Sequence, residues 1–169
     1  MALPLRPKRG GFFRAFGCAQ FIFEYLSGHA PYGSPHVNPS KGAPQAEIFY
    51  HYKNALIREN AMEKAIRREE RSARREQRAI NPENIDTIYK RYLQQSHYKT
   101  TGCRYHSFIV YFANLTRLHW VQFTGQVEHS EFQDHYPKAQ SRRYYRITAA
   151  GRAASKAAWT NPLAVLYGK

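Results

Sequence analysis

Apolar residues return every three or four positions along much of this chain, and the interruptions mark its elements. Phe12, Phe16, Ala19, Phe23 and Leu26 share one helical face, which Phe13, Ile22 and Tyr25 widen. That spacing predicts a largely buried helix over 12–27, with Gly28 as its stop. Residues 28–44 hold three Gly and four Pro and read as a loop. From 45 to 80 the pattern predicts one long helix, about 50 Å at 1.5 Å per residue. Its stripe is Ile48, Tyr52, Ala55, Leu56, Met62 and Ile66. Beyond Ile66 the apolar face ends, so a break there stays open.

Asn81–Pro82–Glu83 carries the marks of a helix start: a capping amide, a proline at the first helical position, then an acid at the positive end of the dipole. The helix is expected to run to about Gln95, burying Ile85, Ile88, Tyr89, Tyr92 and Leu93. A polar turn over 96–101 follows. Residues 102–118 then repeat the helical period, with Tyr105, Phe108, Ile109, Phe112 and Leu115 inward and Arg104, Ser107, Tyr111 and Asn114 outward. Trp120–Phe123 and 142–148 alternate like strands and suit a hairpin with a long tip. Thr148 is placed to cap a final helix, AAGRAASKAAW, and the apolar tail 161–169 is expected to dock on the body. The fold class that emerges is mainly α with a small β-hairpin. Its linear division is a mobile basic arm (1–10), an N-terminal helical region (11–80) and a domain over 81–160 with its tail.

Charge adds a partner class. Lys plus Arg number 26 against 12 acids, a net charge of +14. So large an excess points to a polyanion, nucleic acid before an anionic membrane surface. The densest run is 67–78, RREERSARREQR. Glu63–Arg67 and Glu70–Arg74 are favourable pairs four apart, whereas Arg67–Arg71, Arg71–Arg75 and Arg74–Arg78 repel. A phosphate backbone along Arg67, Arg68, Arg71, Arg74, Arg75 and Arg78 would relieve that repulsion. A solvated helix joining two packed parts fits the same residues. Aromatics make up 15% of the chain, too many for a disordered basic tail, so most of it is expected to fold.

Cys18 and Cys103 are too far apart in sequence for a CxxC pair and read as small buried hydrophobes in a reducing, intracellular compartment. No apolar run reaches the length of a membrane span, so no membrane partner is expected. The acid-free first 23 residues, with Arg6, Lys8, Arg9 and Arg14, fit an organellar leader less well than a basic arm entering a core helix.

Catalytic patterns are missing. HExxH, GxGxxG and the P-loop do not occur, and no nucleophile-elbow context marks a triad. His29 and His36 read as loop histidines. Glu128, His129, Glu131, Asp134 and His135 sit on a loop tip without the fixed four-ligand spacing of structural zinc. Tyr144 and Tyr145 beside Arg142, Arg143 and Arg146 are the only hint of a tyrosine nucleophile, and strand alternation explains them. The expectation is a non-enzymatic protein without cofactor or metal.

One stretch carries a resemblance. Leu115 and Leu118 close a helix before a strand, and after the hairpin Tyr145, Ile147, Thr148 and Gly151 lead into the next helix. Residues of about 81–160 resemble the winged helix-turn-helix superfamily found in many small transcription regulators. The resemblance implies that 102–118 is a recognition helix. Arg104, Ser107, Tyr111 and Asn114 would then face base edges, where Arg suits guanine and Asn suits adenine. It likewise implies phosphate contacts from Lys99, Thr100 and Thr101 and, at the wing base, Arg142 and Arg143. Glu128, Glu131 and Asp134 would make an acidic wing tip, which repels phosphate. The resulting expectation is duplex DNA binding by a regulator or architectural factor, with DNA favoured over RNA. The alternative is a structural subunit of a nucleoprotein complex whose winged helix docks protein or RNA. A homodimer or other protein partners remain open.

Overall fold

The computed structural model describes residues 16–96, 104–129 and 141–168. The protein is mainly helical with a small three-stranded antiparallel sheet. Its helices are α1 (Cys18–Leu26), α2 (Gln45–Arg75), α3 (Pro82–Gln95), α4 (Tyr105–Arg117), α5 (Ala149–Ala153), α6 (Lys156–Thr160) and α7 (Pro162–Tyr167). The strands are β1 (Ala43–Pro44), β2 (Val121–His129) and β3 (Ser141–Ile147). The described residues fall into two compact units, one formed by 16–52 with 104–168 and the other by 53–96. The units therefore do not follow the linear division of the sequence. α3 belongs with the second part of α2, while the first turns of α2 belong with α1 and α4.

In the discontinuous unit, α1 begins later than the spacing predicts. Gly17 is extended (φ −80°, ψ 153°) and precedes the first helical residue, Cys18. The predicted turn over 12–15 lies outside the described residues. Phe16 still joins the core, stacking on Tyr32 at 3.9 Å and meeting Tyr52 edge-on at 5.8 Å. Phe21, Ile22, Tyr25 and Leu26 are fully buried. From α2, Ile48, Phe49 and Tyr52 are buried, and Phe49 lies 5.1 Å from Phe108 of α4. Phe108, Phe112 and Leu115 complete the layer.

The sheet holds a strand that the proline-rich pattern concealed. Ala43 and Pro44 pair antiparallel with Tyr145 and Tyr144, which gives the strand order β1-β3-β2. A proline is tolerated here because β1 is an edge strand and needs no donor on its outer side. Gly42 (φ +72°) makes the approach possible, since a Cβ there would stand 2.0 Å from the carbonyl oxygen of Tyr145. β2 pairs β3 from Val121–Ile147 to His129–Ser141, with an irregularity between Phe123 and Val127 where Gly125 takes φ +93°. Residues 130–140, including Glu131, Asp134 and His135 of the predicted tip, lie outside the described residues.

The Ile147–Thr148–Gly151 signature has a physical basis. The Thr148 amide donates to the Trp120 carbonyl at 2.9 Å, and its hydroxyl donates to the His119 carbonyl. That hydroxyl also caps α5 by accepting from the Gly151 amide at 3.0 Å. Gly151 sits where a Cβ would meet the Trp120 carbonyl oxygen at 2.4 Å. The predicted last helix is broken in two. Ser155 accepts from the Ala158 amide and starts α6 afresh. Trp159 of α6 is buried against Phe23 and Trp120, its indole N–H donating to the Gly151 carbonyl at 2.8 Å. The tail forms α7, which packs against α4. It buries Pro162 but leaves Leu163, Val165 and Tyr167 exposed, so only one side docks.

In the continuous unit, α2 is unbroken through Ile66 and stops at Arg75, five residues short of the sequence expectation. The stop is a left-handed turn. Gln77 takes φ 53°, its amide donating to the Arg74 carbonyl at 3.3 Å while the Arg78 amide reaches Ala73 at 2.9 Å. This is the paired closure usually built on glycine. Gln77→Gly is therefore expected to stabilise the unit by about 0.5–1 kcal/mol, read as slower amide exchange across 66–95. After the turn, Asn81 caps α3 as predicted, its side-chain oxygen accepting from the Glu83 amide at 3.0 Å. None of the apolar residues of α3 is fully buried.

Candidate nucleic-acid interface

α4 is the helix that the sequence reading made the reader of bases. Phe108, Phe112 and Leu115 anchor it inward. Its last turn is closed by His119 in the left-handed region (φ 59°), with the Trp120 amide donating to Leu115 at 3.1 Å. Arg104 stands exposed at the N-cap, and Ser107 is exposed on the first turn. Asn114 is half-buried. Tyr111 is half-buried too, and burial followed by the neighbouring Cys18 pushes its phenol up to about 12. It lies on the flank of α4, not on the outward face. Four residues that the sequence reading missed, His106, Val110, Ala113 and Arg117, are exposed at spacings of four, three and four. Counting helically away from Phe108, Phe112 and Leu115 alone would have found them. Including Tyr105 and Ile109 in the buried face turned the predicted outward row by part of a turn.

The two arginines expected at a wing base part company. Arg143 is exposed and lies over the Phe123 ring at 5.3 Å. Arg142 is only 5% exposed, and its charge acts on the phenols of Tyr105 and Tyr144. It is thus a core residue of the hairpin, not a surface phosphate contact. Glu128 faces Arg142 in register and accepts from the Tyr144 hydroxyl at 2.6 Å. This acid belongs to the hairpin body, so it contributes no free charge at a tip. Burial and then Glu128 raise the Tyr144 phenol well above its usual range, which keeps the proton on and makes it a poor nucleophile. Lys99, Thr100 and Thr101 lie outside the described residues.

The second basic surface lies on α2 and α3. Lys64, Arg67, Arg71 and Arg74 line a groove of about 790 Å³ with Glu63, Glu70, Ile66 and Tyr92. Lys64 stands 5.9 Å over the Tyr92 ring. The arginines of the run are not equivalent. Arg67 donates to Glu63 at 2.6 Å, as the spacing of four predicts. Arg78 donates to the buried Glu69 and, at 2.6 Å, to Glu76. Glu69, 1% exposed, also accepts from Asn84 and from the Asn81 amide, each at 3.4 Å. The Arg78 guanidinium, more than any other neighbour, holds the Glu69 carboxyl below its usual range. Arg78 is therefore a structural cation of the α2–α3 turn. Arg68, Arg71, Arg74 and Arg75 are exposed, and among the described residues none of them forms an ion pair.

A carboxyl whose folded value is lowered stabilises the fold above its unfolded value and loses that contribution as pH falls through the folded one. The α2–α3 turn should thus keep its exchange protection from pH 7 to about 5 and lose it below the ordinary glutamate value of about 4.3. Glu69→Gln should remove the pH dependence. Protection of 77–84 that is flat down to pH 2 in the wild type would contradict this.

Among the described residues, no group of three or more His, Cys, Asp or Glu is placed to hold a metal ion, and no helix is long and apolar enough to cross a membrane. No protein-family model, curated protein or solved structure matches the chain.

Proposed function

We propose that the protein binds duplex DNA without catalysing a reaction, through an interrupted winged helix whose reading element is α4. The observation that carries this reading is the element order of the discontinuous unit: α1, β1, the first turns of α2, α4, then the β2–β3 hairpin, with strand order β1-β3-β2. A winged helix calls for a first strand beside the closing strand, and the pairing of β1 with β3 supports the reading on that point. The helix before α4 is then the start of α2, and the described residues 53–96 belong to an insertion between the two. The exposed side of α4 offers His106, Ser107 and Arg117, with Arg104 at its N-cap and half-buried Asn114 on the flank, donors and acceptors of the kind that read the major groove. A net charge of +14 supplies attraction to phosphate.

A second reading has its own observation. Val110 at the middle of α4 is 53% exposed, and α7, packed against α4, exposes Val165 and Tyr167 at 47% and 62%. Such apolar exposure suits docking to protein in a larger nucleoprotein assembly. The readings differ in sequence preference. Under the first, Arg104→Ala or Asn114→Ala should relax preference at single base pairs by about 1–3 kcal/mol, with helicity unchanged. If both variants keep the wild-type preference and affinity, α4 is not the reading helix.

A further inference from the structure

The arginine run of α2 sorts into two rows with different chemistry. Glu63, Arg67, Glu70 and Arg74 follow one another at spacings of four, three and four, with alternating sign. Lys64, Arg68, Arg71 and Arg75 follow at the same spacings on the adjacent row, and every member is a cation. All four are exposed. Of the nearby acids, Glu63 holds Arg67, and Glu69 and Glu76 hold Arg78. Glu70 is exposed on the mixed row, and no acid stands three or four residues from a cation of the adjacent row. An ordinary solvated face would mix its signs, as the first row does. The second row keeps three successive like-charge neighbours at helical contact distance, each unfavourable by about 0.2–0.5 kcal/mol in an isolated helix. It runs about 16 Å along the axis at 1.5 Å per residue.

We infer that Lys64, Arg68, Arg71 and Arg75 form a rail for the phosphate backbone of a nucleic-acid duplex. The inserted segment is thereby a second, sequence-independent contact, separate from α4. The inference rests on the nucleic-acid reading above. It also divides the basic run, because Arg67 and Arg78 are bound to carboxylates and stand outside the rail. A rail of cations on a helix gives charge neutralisation without base readout, so it acts on affinity and its salt dependence and leaves sequence preference alone.

The test uses the full chain with all four rail residues changed to Gln, a residue that keeps helix propensity. Binding to a fixed duplex is followed from 50 to 200 mM salt, with circular dichroism as the folding control. Four lost phosphate contacts should make the slope of log K against log salt shallower by about 3–4. The base preference found by selection should stay as in the wild type. Arg67→Gln should leave the slope unchanged, where one lost phosphate contact would make it shallower by about 0.9. A variant slope equal to that of a wild type that binds duplex overturns the rail and leaves the reading by α4 standing. Loss of preference with an unchanged slope overturns the rail and also α4 as the sole reader of bases. A wild type that binds anionic phospholipid vesicles but no duplex overturns both.

Discussion

Gly151→Ala should cost the discontinuous unit about 3 kcal/mol or more, at the upper end of what overpacking costs in a fixed core. The added Cβ would stand 2.4 Å from the Trp120 carbonyl oxygen and 3.0 Å from the Ile147 side chain. Neither neighbour is free to move. The Trp120 carbonyl already accepts from the Thr148 amide, and Thr148 is held to His119 by its hydroxyl. Shifting α5 outward would also disturb Trp159, whose indole bonds the Gly151 carbonyl. Gly42 offers a contrast. There the contact is closer, 2.0 Å to Tyr145, and φ is +72°. Yet β1 is a two-residue edge strand that can separate from β3, so Gly42→Ala should lose local pairing more than global stability. Denaturant unfolding separates the cases: Gly151→Ala lowers the midpoint strongly, and Gly42→Ala chiefly raises amide exchange at 42–45. Equal, small shifts in both midpoints would refute this ranking.

Phe112→Ala should be comparably severe, at about 3–5 kcal/mol. The ring is fully buried on α4 and lies 5.9 Å from Phe108 and 5.1 Å from Tyr145. Truncation leaves a void bounded by a helix on one side and a strand on the other, which cannot close without moving α4. The same substitution therefore couples stability to the proposed reading surface. A stability loss below about 1 kcal/mol would show that the core collapses around the missing ring. Val110→Ala, on the outward face, should leave stability nearly unchanged and serves as the control.

Local signals in the sequence were legible where one residue type does one job. The Asn81–Pro82 cap is found where it was expected, because a side-chain oxygen at the N-cap is a short-range requirement. The arrangement of Thr148 and Gly151 was likewise visible as a pattern, although its reason, a close approach to Trp120 about thirty residues away, is nonlocal. Nonlocal features were hidden. β1 has only two residues, one of them proline, and its pairing with β3 joins positions about a hundred residues apart. Periodicity also does not report which unit a helix joins. The helical period runs through Tyr52 and Lys53 without a break, yet the units divide there. The site was legible as a charge run but not as rows. Sequence spacing showed that Glu63 and Arg67 would meet, but not that Arg78 would turn back to Glu69. Arg142 read as a wing cation because strand alternation alone does not say which face is covered.

The most direct test of duplex reading by α4 is selection of the full chain against random-sequence duplex DNA, with RNA as competitor and salt near the physiological range. The expected result is an enriched short motif whose preference relaxes in Arg104→Ala or Asn114→Ala. Retention of duplex with no enriched motif, or displacement of all bound duplex by the RNA competitor, would contradict it.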